Sequence, residues 1–125
     1  MEHPRKKVLL VDDSKTILLM ERMILGNSAY DLVTALDGEE AVEKARAELP
    51  DLILMDVVMP RMNGFEACRR IRGGAGTAAI PIIMVTTRDE IESVEAGYES
   101  GCAGYVIKPI DARELLATVR SFLEA

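Results

Sequence analysis

Short apolar runs alternate with longer amphipathic stretches along the whole sequence. Mostly apolar residues fill five runs of strand length: Val8–Val11, Leu32–Ala35, Leu52–Met55, Ile80–Val85 and Tyr105–Ile107. Nearly continuous apolar runs of this length are typical of strands that are buried on both faces. The pattern therefore predicts five strands that belong to the inside of a sheet.

The stretches between these runs carry apolar residues at helical spacing. In the first stretch, Ser14 to Leu25, Ile17, Met20 and Ile24 have the spacing to face the sheet. The alternative is that some of the other apolar residues of this helix complete the core: Leu18, Leu19, Met23 and Leu25. The second predicted helix spans Gly38 to Leu49 and follows the capping pair Asp37 and Glu40. The third and fourth helices are indicated by the apolar positions Phe65, Cys68 and Ile71, and Ile91, Val94 and Tyr98. The fifth helix follows Asp111 as N-cap and carries the apolar residues Leu115, Leu116, Val119 and Leu123.

Strict alternation of strands and helices predicts an α/β fold. Five such units form a parallel sheet with helices on both faces and right-handed crossovers. The length of 125 residues fits one domain. We expect residues 1–6 to be a flexible N-terminus and residues 7–125 to form the domain, with no output domain inside these residues. No apolar run is long enough for a membrane span, and the basic N-terminus lacks the pattern of a secretory signal.

The charge and the composition disfavour several classes of function. The net charge of −6 disfavours a nucleic-acid-binding surface, which needs clustered basic residues. Two cysteines without a CxxC pair indicate neither a zinc site nor a disulfide framework, so a reducing, cytoplasmic location is expected. The single histidine, His3, lies in the N-terminal segment. Chemistry that needs a buried histidine base, or a phosphoacceptor histidine within this chain, is therefore disfavoured.

Polar residues follow four of the five predicted strands. Asp12 and Asp13 come after the first strand, Asp56 after the third, Thr86 after the fourth and Lys108 after the fifth. Ligands of open parallel sheets bind outside the carboxyl ends of the strands, where the strand order reverses. With the order 2-1-3-4-5 this point lies between strands one and three, so we expect the three aspartates to converge.

Converging carboxylates suit a divalent cation and phosphoryl chemistry. Three close carboxylates repel one another, and Mg²⁺ relieves this repulsion because it prefers oxygen ligands. Lys108 adds a fixed positive charge, Thr86 adds a hydroxyl donor, and an aspartate can act as a nucleophile toward phosphorus. Taken singly, each residue could be a helix cap, a turn residue or a solvated lysine. Their joint placement at one edge favours a site.

These residues resemble those of the receiver domain of two-component response regulators, and the chain is similar to the single-domain chemotaxis regulators. The resemblance implies a flavodoxin-like, doubly wound (βα)5 sandwich with strand order 2-1-3-4-5. Five motifs carry it: VLLVDDS at 8–14, TALDGEEA at 34–41, LILMDVVMPRMNGFE at 52–66, IIMVTT at 82–87 and GYVIKP at 104–109.

The resemblance implies a role for each acid. Asp56 would be the phosphoacceptor. Asp13 would bind Mg²⁺ directly, Asp12 would bind it through water, and the backbone carbonyl of Val58 would be a further ligand.

The remaining matches imply a switch. Thr86 would bind one phosphoryl oxygen after Asp56 is modified, and Lys108 would pair with another. Pro109 resembles the cis-proline that follows this lysine in the family, and Tyr105 resembles the switch aromatic.

The implied function is phosphorelay signal transduction. A histidine kinase or histidine phosphotransfer protein would donate the phosphoryl group, and the fourth helix, fifth strand and fifth helix would contact a downstream protein. The chain would not be an enzyme in the ordinary sense, because it would catalyse only its own phosphorylation and dephosphorylation.

The first helix is expected to dock the donor through apolar residues next to Lys15 and Arg22. Homodimerisation on phosphorylation is common in the family. No contact with nucleic acid or membrane is expected.

Three other functions remain open from the sequence. An FMN-binding module shares the topology, but its phosphate loop is rich in Ser, Thr and Gly, whereas this loop reads DDSK. A Mg²⁺-dependent phosphatase with an aspartate nucleophile usually carries a second Asp two residues later, whereas Asp56 is followed by Val57 and Val58. A degenerate receiver that serves only as a scaffold would not need the complete set of acids, threonine and lysine.

Overall fold

The computed structural model describes residues 5–26, 30–87 and 99–124. Its strands are β1 (Lys6–Val11), β2 (Tyr30–Ala35), β3 (Leu52–Asp56), β4 (Ile82–Thr87) and β5 (Gly104–Lys108). Its helices are α1 (Lys15–Leu25), α2 (Gly38–Glu48), α3 (Gly64–Arg72) and α4 (Ala112–Leu123), the last being the fifth predicted helix. The predicted helix around Ile91, Val94 and Tyr98 lies outside the described residues.

All five strands are parallel and form one sheet in the order β2-β1-β3-β4-β5, so the predicted fold class and strand order are confirmed. The central strand β3 is buried over its whole length, which explains its continuous apolar sequence. Strand boundaries shift by up to two residues from the predicted ones. β1 begins at Lys6 rather than Val8, and β4 spans Ile82–Thr87 rather than Ile80–Val85.

Two apolar cores cover the two faces of the sheet, because successive strand residues point to opposite faces. On one face, Leu9, Ile53 and Met84 pack with residues of α2 and α3. On the other face, Leu10, Leu54 and Val106 pack with residues of α1 and α4. Cys68 and Cys102 are buried free thiols in the first core.

The helices begin at side chains that accept hydrogen bonds from free backbone amides. Asp37 Oδ1 accepts from the Glu40 amide at 2.8 Å, and Asp111 Oδ1 accepts from the Arg113 and Glu114 amides at 2.9 and 3.1 Å. Both N-caps are therefore confirmed. Asn63 Oδ1 caps α3 in the same way at 2.9 Å from the Glu66 amide.

The inner face of α1 differs from the expected one. Its buried residues are Leu18, Glu21 and Leu25, whereas Met20 is 40% exposed. Met20 is therefore wrongly placed in the predicted stripe, whereas Ile24 is half-buried and packs against this core. The alternative that other apolar residues complete the core is confirmed for Leu18 and Leu25. Apolar residues occur on almost every side of this helix, so their spacing does not determine which side faces the sheet.

None of the described helices is both long and apolar enough to cross a membrane. The division between a flexible segment 1–6 and a domain 7–125 stays a prediction, because residues 1–4 lie outside the described residues.

Candidate functional site

Three aspartates lie together at the carboxyl edge of the sheet. Val11 pairs with Met55 across the neighbouring strands β1 and β3, so Asp12 and Asp56 follow side by side. Asp12 and Asp56 are buried, and Asp13 is exposed. One carboxylate oxygen from each of Asp12, Asp13 and Asp56 lies within 4.8 Å of the other two. This cluster is called the acidic site below.

Hydrogen bonds of the β1–α1 loop fix the orientation of Asp12. Its Oδ1 accepts from the Ser14 amide at 2.9 Å, and Ser14 Oγ in turn accepts from the Ile17 amide at 3.3 Å as the N-cap of α1. The Asp12 amide donates to the Ala35 carbonyl of β2 at 3.2 Å. The side chain is therefore held by the start of the helix and the backbone by the sheet.

The β3–α3 loop is packed closely against Asp56. A Cβ atom on Gly64 would lie 2.3 Å from the Asp56 carbonyl oxygen, so only glycine fits there. The Gly64 amide donates to the Val57 carbonyl at 2.8 Å and closes the loop. In the loop between Val57 and Gly64, the Val58 side chain is 58% exposed, and Arg61 adopts φ = 67°. The start of α3 thus limits the movement of the Asp56 backbone.

Lys108 joins two of the acids. Its Nζ donates to Asp12 Oδ2 at 3.2 Å and to Asp56 Oδ1 at 3.1 Å. It is the last residue of β5 and pairs in register with Thr87 of β4, which brings its side chain across to the acidic site. The peptide bond between Lys108 and Pro109 is cis, and Pro109 is exposed.

Thr86 and Tyr105 lie on one face of the sheet beside the site. Thr86 is buried near the carboxyl end of β4, and its Oγ1 donates to the Thr87 carbonyl at 3.4 Å. Tyr105 pairs with Met84, two residues before Thr86, and is half-buried against the core of α2 and α3. Because alternate residues share a face, Met84, Thr86 and Tyr105 project to the same side. Neither Thr86 nor Tyr105 belongs to the carboxylate cluster itself.

The charges of the site perturb one another. The pKa of Asp56 is raised to about 6, because burial and the neighbouring charge of Asp12 raise it more than Lys108 lowers it. Burial alone would lower the pKa of Lys108, but its hydrogen bond to Asp56 and the charges of Asp56 and Asp12 outweigh burial and raise it. Asp56 is therefore mostly ionised at neutral pH, and Lys108 is charged.

The donor set of the acidic site fits a hard divalent cation. All three groups are carboxylates, the ligand type that Mg²⁺ and Ca²⁺ prefer, and the separations of their oxygens allow one ion to be shared. With Lys108 charged, the three carboxylates leave a net charge of −2, which a divalent cation cancels. The arrangement can hold a cation beside an oxygen nucleophile and a fixed ammonium group.

Sequence reasoning did not single out Glu21 or Gly64. Glu21 lies between Leu18 and Leu25 on the buried face of α1, and an acid at the centre of an i, i+7 leucine pair is the signal that could have found it. Gly64 follows an N-cap asparagine, but its close approach to Asp56 depends on the tertiary structure.

Comparison with known proteins identifies the family. The family model for the response regulator receiver domain matches residues 8–120. The chain is 42% identical over 118 residues to the alkaline phosphatase synthesis transcriptional regulatory protein PhoP of Bacillus subtilis, covering 94% of the chain and 48% of PhoP. It is 39% identical to Protein PilH of Pseudomonas aeruginosa, covering 94% of the chain and 97% of PilH. The chain thus spans about half the length of PhoP and nearly all of PilH.

Solved structures agree with this family. The chemotaxis protein CheY4 of Vibrio cholerae matches with a TM-score of 0.89 and 37% identity, over 94% of this chain and 98% of CheY4. The receiver domain of the sensor histidine kinase PA1611 of Pseudomonas aeruginosa matches with a TM-score of 0.88 and 27% identity, over 97% of this chain and 99% of that domain. That structure contains a magnesium ion coordinated in the active-site cleft. Receiver domains are signalling proteins rather than enzymes in the ordinary sense. This chain belongs to the response regulator receiver domain family of two-component signalling.

Proposed function

We propose that this receiver accepts a phosphoryl group on Asp56 from the phosphohistidine of a histidine kinase or histidine phosphotransfer protein. One observation carries the proposal: the buried Asp56 carboxylate lies beside Asp12 and Asp13, and its Oδ1 is 3.1 Å from Lys108 Nζ. A carboxylate in this setting is ionised, oriented and next to a fixed positive charge, which are the conditions for attack on phosphorus.

The transfer forms one bond and breaks one bond. A carboxylate oxygen of Asp56 attacks the phosphorus atom, the bond between phosphorus and the donor imidazole nitrogen breaks, and that nitrogen keeps the electron pair. The product is an aspartyl phosphate. With a small acyl phosphate as donor, the bond from phosphorus to the acyl oxygen breaks and the carboxylate leaves. Either reaction changes only this protein's own Asp56, so the chain is a phosphorylated switch without a separate substrate.

Mg²⁺ is the cofactor of this proposal. Asp13 and Asp56 would bind it directly, Asp12 would bind it through water, and the backbone carbonyl of Val58 would complete the protein ligands. When bound, the ion neutralises negative charge that the carboxylates and the phosphoryl group bring together. The exposure of Asp13 at the mouth of the acidic site leaves room for water ligands.

Lys108 and Thr86 would stabilise the phosphorylated state. The Lys108 ammonium now shared between Asp12 and Asp56 would pair with a phosphoryl oxygen, and the Thr86 hydroxyl would donate to another. Tyr105 projects to the same face as Thr86, so a movement of Thr86 toward Asp56 would open space for the ring. The cis-proline Pro109 lies directly after Lys108, at the end of the strand that presents it.

The donor would dock on the outer face of α1. Leu19, Met20 and Met23 are 58%, 40% and 70% exposed, and an exposed apolar patch is a recognised sign of an interaction surface. They line a groove of about 410 Å³ next to a second groove that includes Lys15 and Arg22. Apolar surface flanked by positive charge suits a helical partner with an acidic rim.

The downstream protein would contact residues 88–98, β5 and α4, because Thr86 precedes residue 88 by two positions in the sequence and Tyr105 belongs to β5. Phosphorylation would act there as a local change of charge that shifts a two-state equilibrium. A homodimer that forms on phosphorylation is compatible with the same surface. No nucleic acid or membrane is a partner of this domain in the proposal, and its location is the cytoplasm, where the donor phosphohistidine would be.

The test is intact-mass analysis after incubation with Mg²⁺ and acetyl phosphate, and separately with a phosphorylated histidine phosphotransfer protein. We expect the mass of one phosphoryl group to be added in both reactions. Asp56→Asn, which keeps the shape of the side chain, should prevent the addition. Addition to Asp56→Asn, or no addition to the unchanged protein, would contradict the proposal, and the second result would favour a scaffold receiver. Turnover of a phosphomonoester would favour a phosphatase instead.

A further inference from the structure

Arg61 and Asp37 form an ion pair between the loops that follow β3 and β2. Arg61 Nη2 donates to Asp37 Oδ2 at 3.0 Å, while Asp37 Oδ1 accepts from the Glu40 amide as the N-cap of α2. The Glu40 amide and the Arg61 guanidinium keep the pKa of Asp37 below its ordinary value, so this carboxylate is charged at neutral pH. The two oxygens of one carboxylate therefore connect the start of α2 with the β3–α3 loop.

The backbones of the same two loops are in close contact. A Cβ atom on Gly38 would lie 2.8 Å from the Met62 carbonyl oxygen and 3.0 Å from Met62 Cβ, so the β3–α3 loop approaches α2 at a position that suits glycine. Met62 is buried and belongs to the apolar core of α2 and α3. Arg61 therefore directly precedes a residue that packing holds against the start of α2.

The backbone of Arg61 adopts an unfavourable conformation that the ion pair can offset. Its φ of 67° lies in the left-handed region, which costs free energy for a residue with a Cβ atom. The Met62 amide donates to the Pro60 carbonyl at 2.7 Å and closes the turn. Because the Arg61 side chain is 70% exposed, its charge rather than its packing is available to stabilise this turn.

The β3–α3 loop leads from Asp56 to α3 and carries the Val58 carbonyl, which is the backbone ligand of the proposed function. The ends of the loop are fixed, because Gly64 packs against the Asp56 carbonyl and donates its amide to the Val57 carbonyl at 2.8 Å. The pair of Arg61 with Asp37 fixes the middle of the loop. A ligand that is held in place before an ion arrives binds it more tightly, since binding then does not have to order the loop.

We propose that Arg61 is a positioning residue of the acidic site, which holds the β3–α3 loop through Asp37 and so increases the affinity for a divalent cation although it is itself positively charged. The inference rests on the cation site of the proposed function. Coulomb repulsion alone would give the opposite effect, because removing a positive charge near a cation site favours cation binding. The two explanations therefore predict opposite results for the same substitution.

The test is the affinity for Mg²⁺ of the unchanged protein and of Arg61→Met, measured by isothermal titration calorimetry. We expect Arg61→Met to bind Mg²⁺ about threefold more weakly at about 20 mM salt, and the two affinities to converge at about 500 mM salt, because salt screens an exposed ion pair. Arg61→Lys keeps the charge and should recover most of the affinity. The matched control is Arg70→Met, which removes an exposed ion pair with Glu66 on α3 and should not weaken binding.

Hydrogen exchange in the Mg²⁺-free protein measures the loop independently of the ion. The Met62 and Gly64 amides should exchange faster in Arg61→Met than in the unchanged protein, whereas the amides of β3 should not. Equal or tighter Mg²⁺ binding by Arg61→Met, a weakening that Arg61→Lys shares in full, or unchanged exchange of the loop would overturn the inference and leave the cation site intact. If the unchanged protein itself does not bind Mg²⁺, the cation site of the proposed function fails, and the inference fails with it.

Discussion

At the scale of single residues, the burial of Glu21 has a consequence for stability. Its pKa is about 8 in the folded protein against an ordinary 4.5. Between these values the folded protein holds a proton that the unfolded chain has released. The stability from this proton is complete below the ordinary pKa and is lost as the pH rises to about 8.

Glu21→Leu should remove this loss of stability with rising pH. We expect the free energy of unfolding at pH 7 to rise by about 2 kcal/mol, because an apolar side chain avoids the desolvation of the carboxyl group. The difference in the free energy of unfolding between Glu21→Leu and the unchanged protein should grow between about pH 5 and pH 8. Urea denaturation at several pH values measures it, with Glu43→Leu as the exposed control. An unchanged pH dependence in Glu21→Leu would contradict this prediction.

Lys108 is the counter-charge of two buried acids, so its loss should destabilise the fold. We expect Lys108→Met to lower the free energy of unfolding by about 2 kcal/mol without divalent cations, because Asp12 and Asp56 lose their partner. Added Mg²⁺ should restore part of this loss, since it supplies positive charge at the same place.

Lys7→Met is the matched control for Lys108→Met. Lys7 forms an ion pair with Glu48 at 2.9 Å, but both side chains are substantially exposed. Urea denaturation should show little change for this variant and no dependence on Mg²⁺. A Mg²⁺-independent loss in Lys108→Met would indicate that the lysine acts by packing rather than by charge.

At the scale of helices and strands, Arg72 connects the end of α3 with two other segments. Its Nε donates to the Gly101 carbonyl at 2.8 Å, and its Nη1 donates to the carbonyls of Ala78, at 2.9 Å, and Ile80. These carbonyls precede β4 and β5 and lie outside the ladder of the sheet. One side chain thus satisfies three backbone acceptors of the loops.

Arg72→Met should therefore cost about 2 kcal/mol in the free energy of unfolding, because the apolar stem is kept while three acceptors lose their donor. Thermal and urea unfolding measure the loss. Arg70→Met, on the same helix, removes an exposed pair with Glu66 at 3.6 Å and should change little. Equal effects of the two substitutions would argue against the role of the backbone contacts.

Elements and site were predictable from the sequence to different degrees. The five strands followed from their apolar runs, because strands buried on both faces lack polar residues. The convergence of Asp12, Asp13, Asp56 and Lys108 followed from strand order, since each residue ends a strand. The face of α1 did not follow, because apolar residues surround the helix and the acidic Glu21 lies within the stripe that is actually buried.

At the scale of the whole molecule, docking of the donor can be separated from the chemistry of transfer. Arg22 lies on α1, and it lines the groove formed with Lys15 and Leu36. Arg22→Glu should slow phosphotransfer from a phosphohistidine protein about tenfold, because it reverses charge at the rim of the docking surface. It should not change phosphorylation by acetyl phosphate, which needs no docking.

Rates from the two donors, followed by intact mass, measure this difference. Arg70→Glu reverses an exposed charge on α3, on the opposite face of the sheet, and serves as the control. Equal slowing with both donors would indicate damage to the acidic site. Unchanged rates with both would exclude this part of α1 from donor docking.

The contacts of Arg72 bear on how a signal could travel through this domain. They lie at the amino ends of β4 and β5, whereas Asp56, Thr86 and Lys108 lie at the opposite ends of their strands. One end of this half of the sheet is therefore anchored to a helix while the other carries the reactive groups. A displacement that starts at Thr86 would pivot about that anchored end, so its amplitude would be largest at the rim and smallest near Gly101.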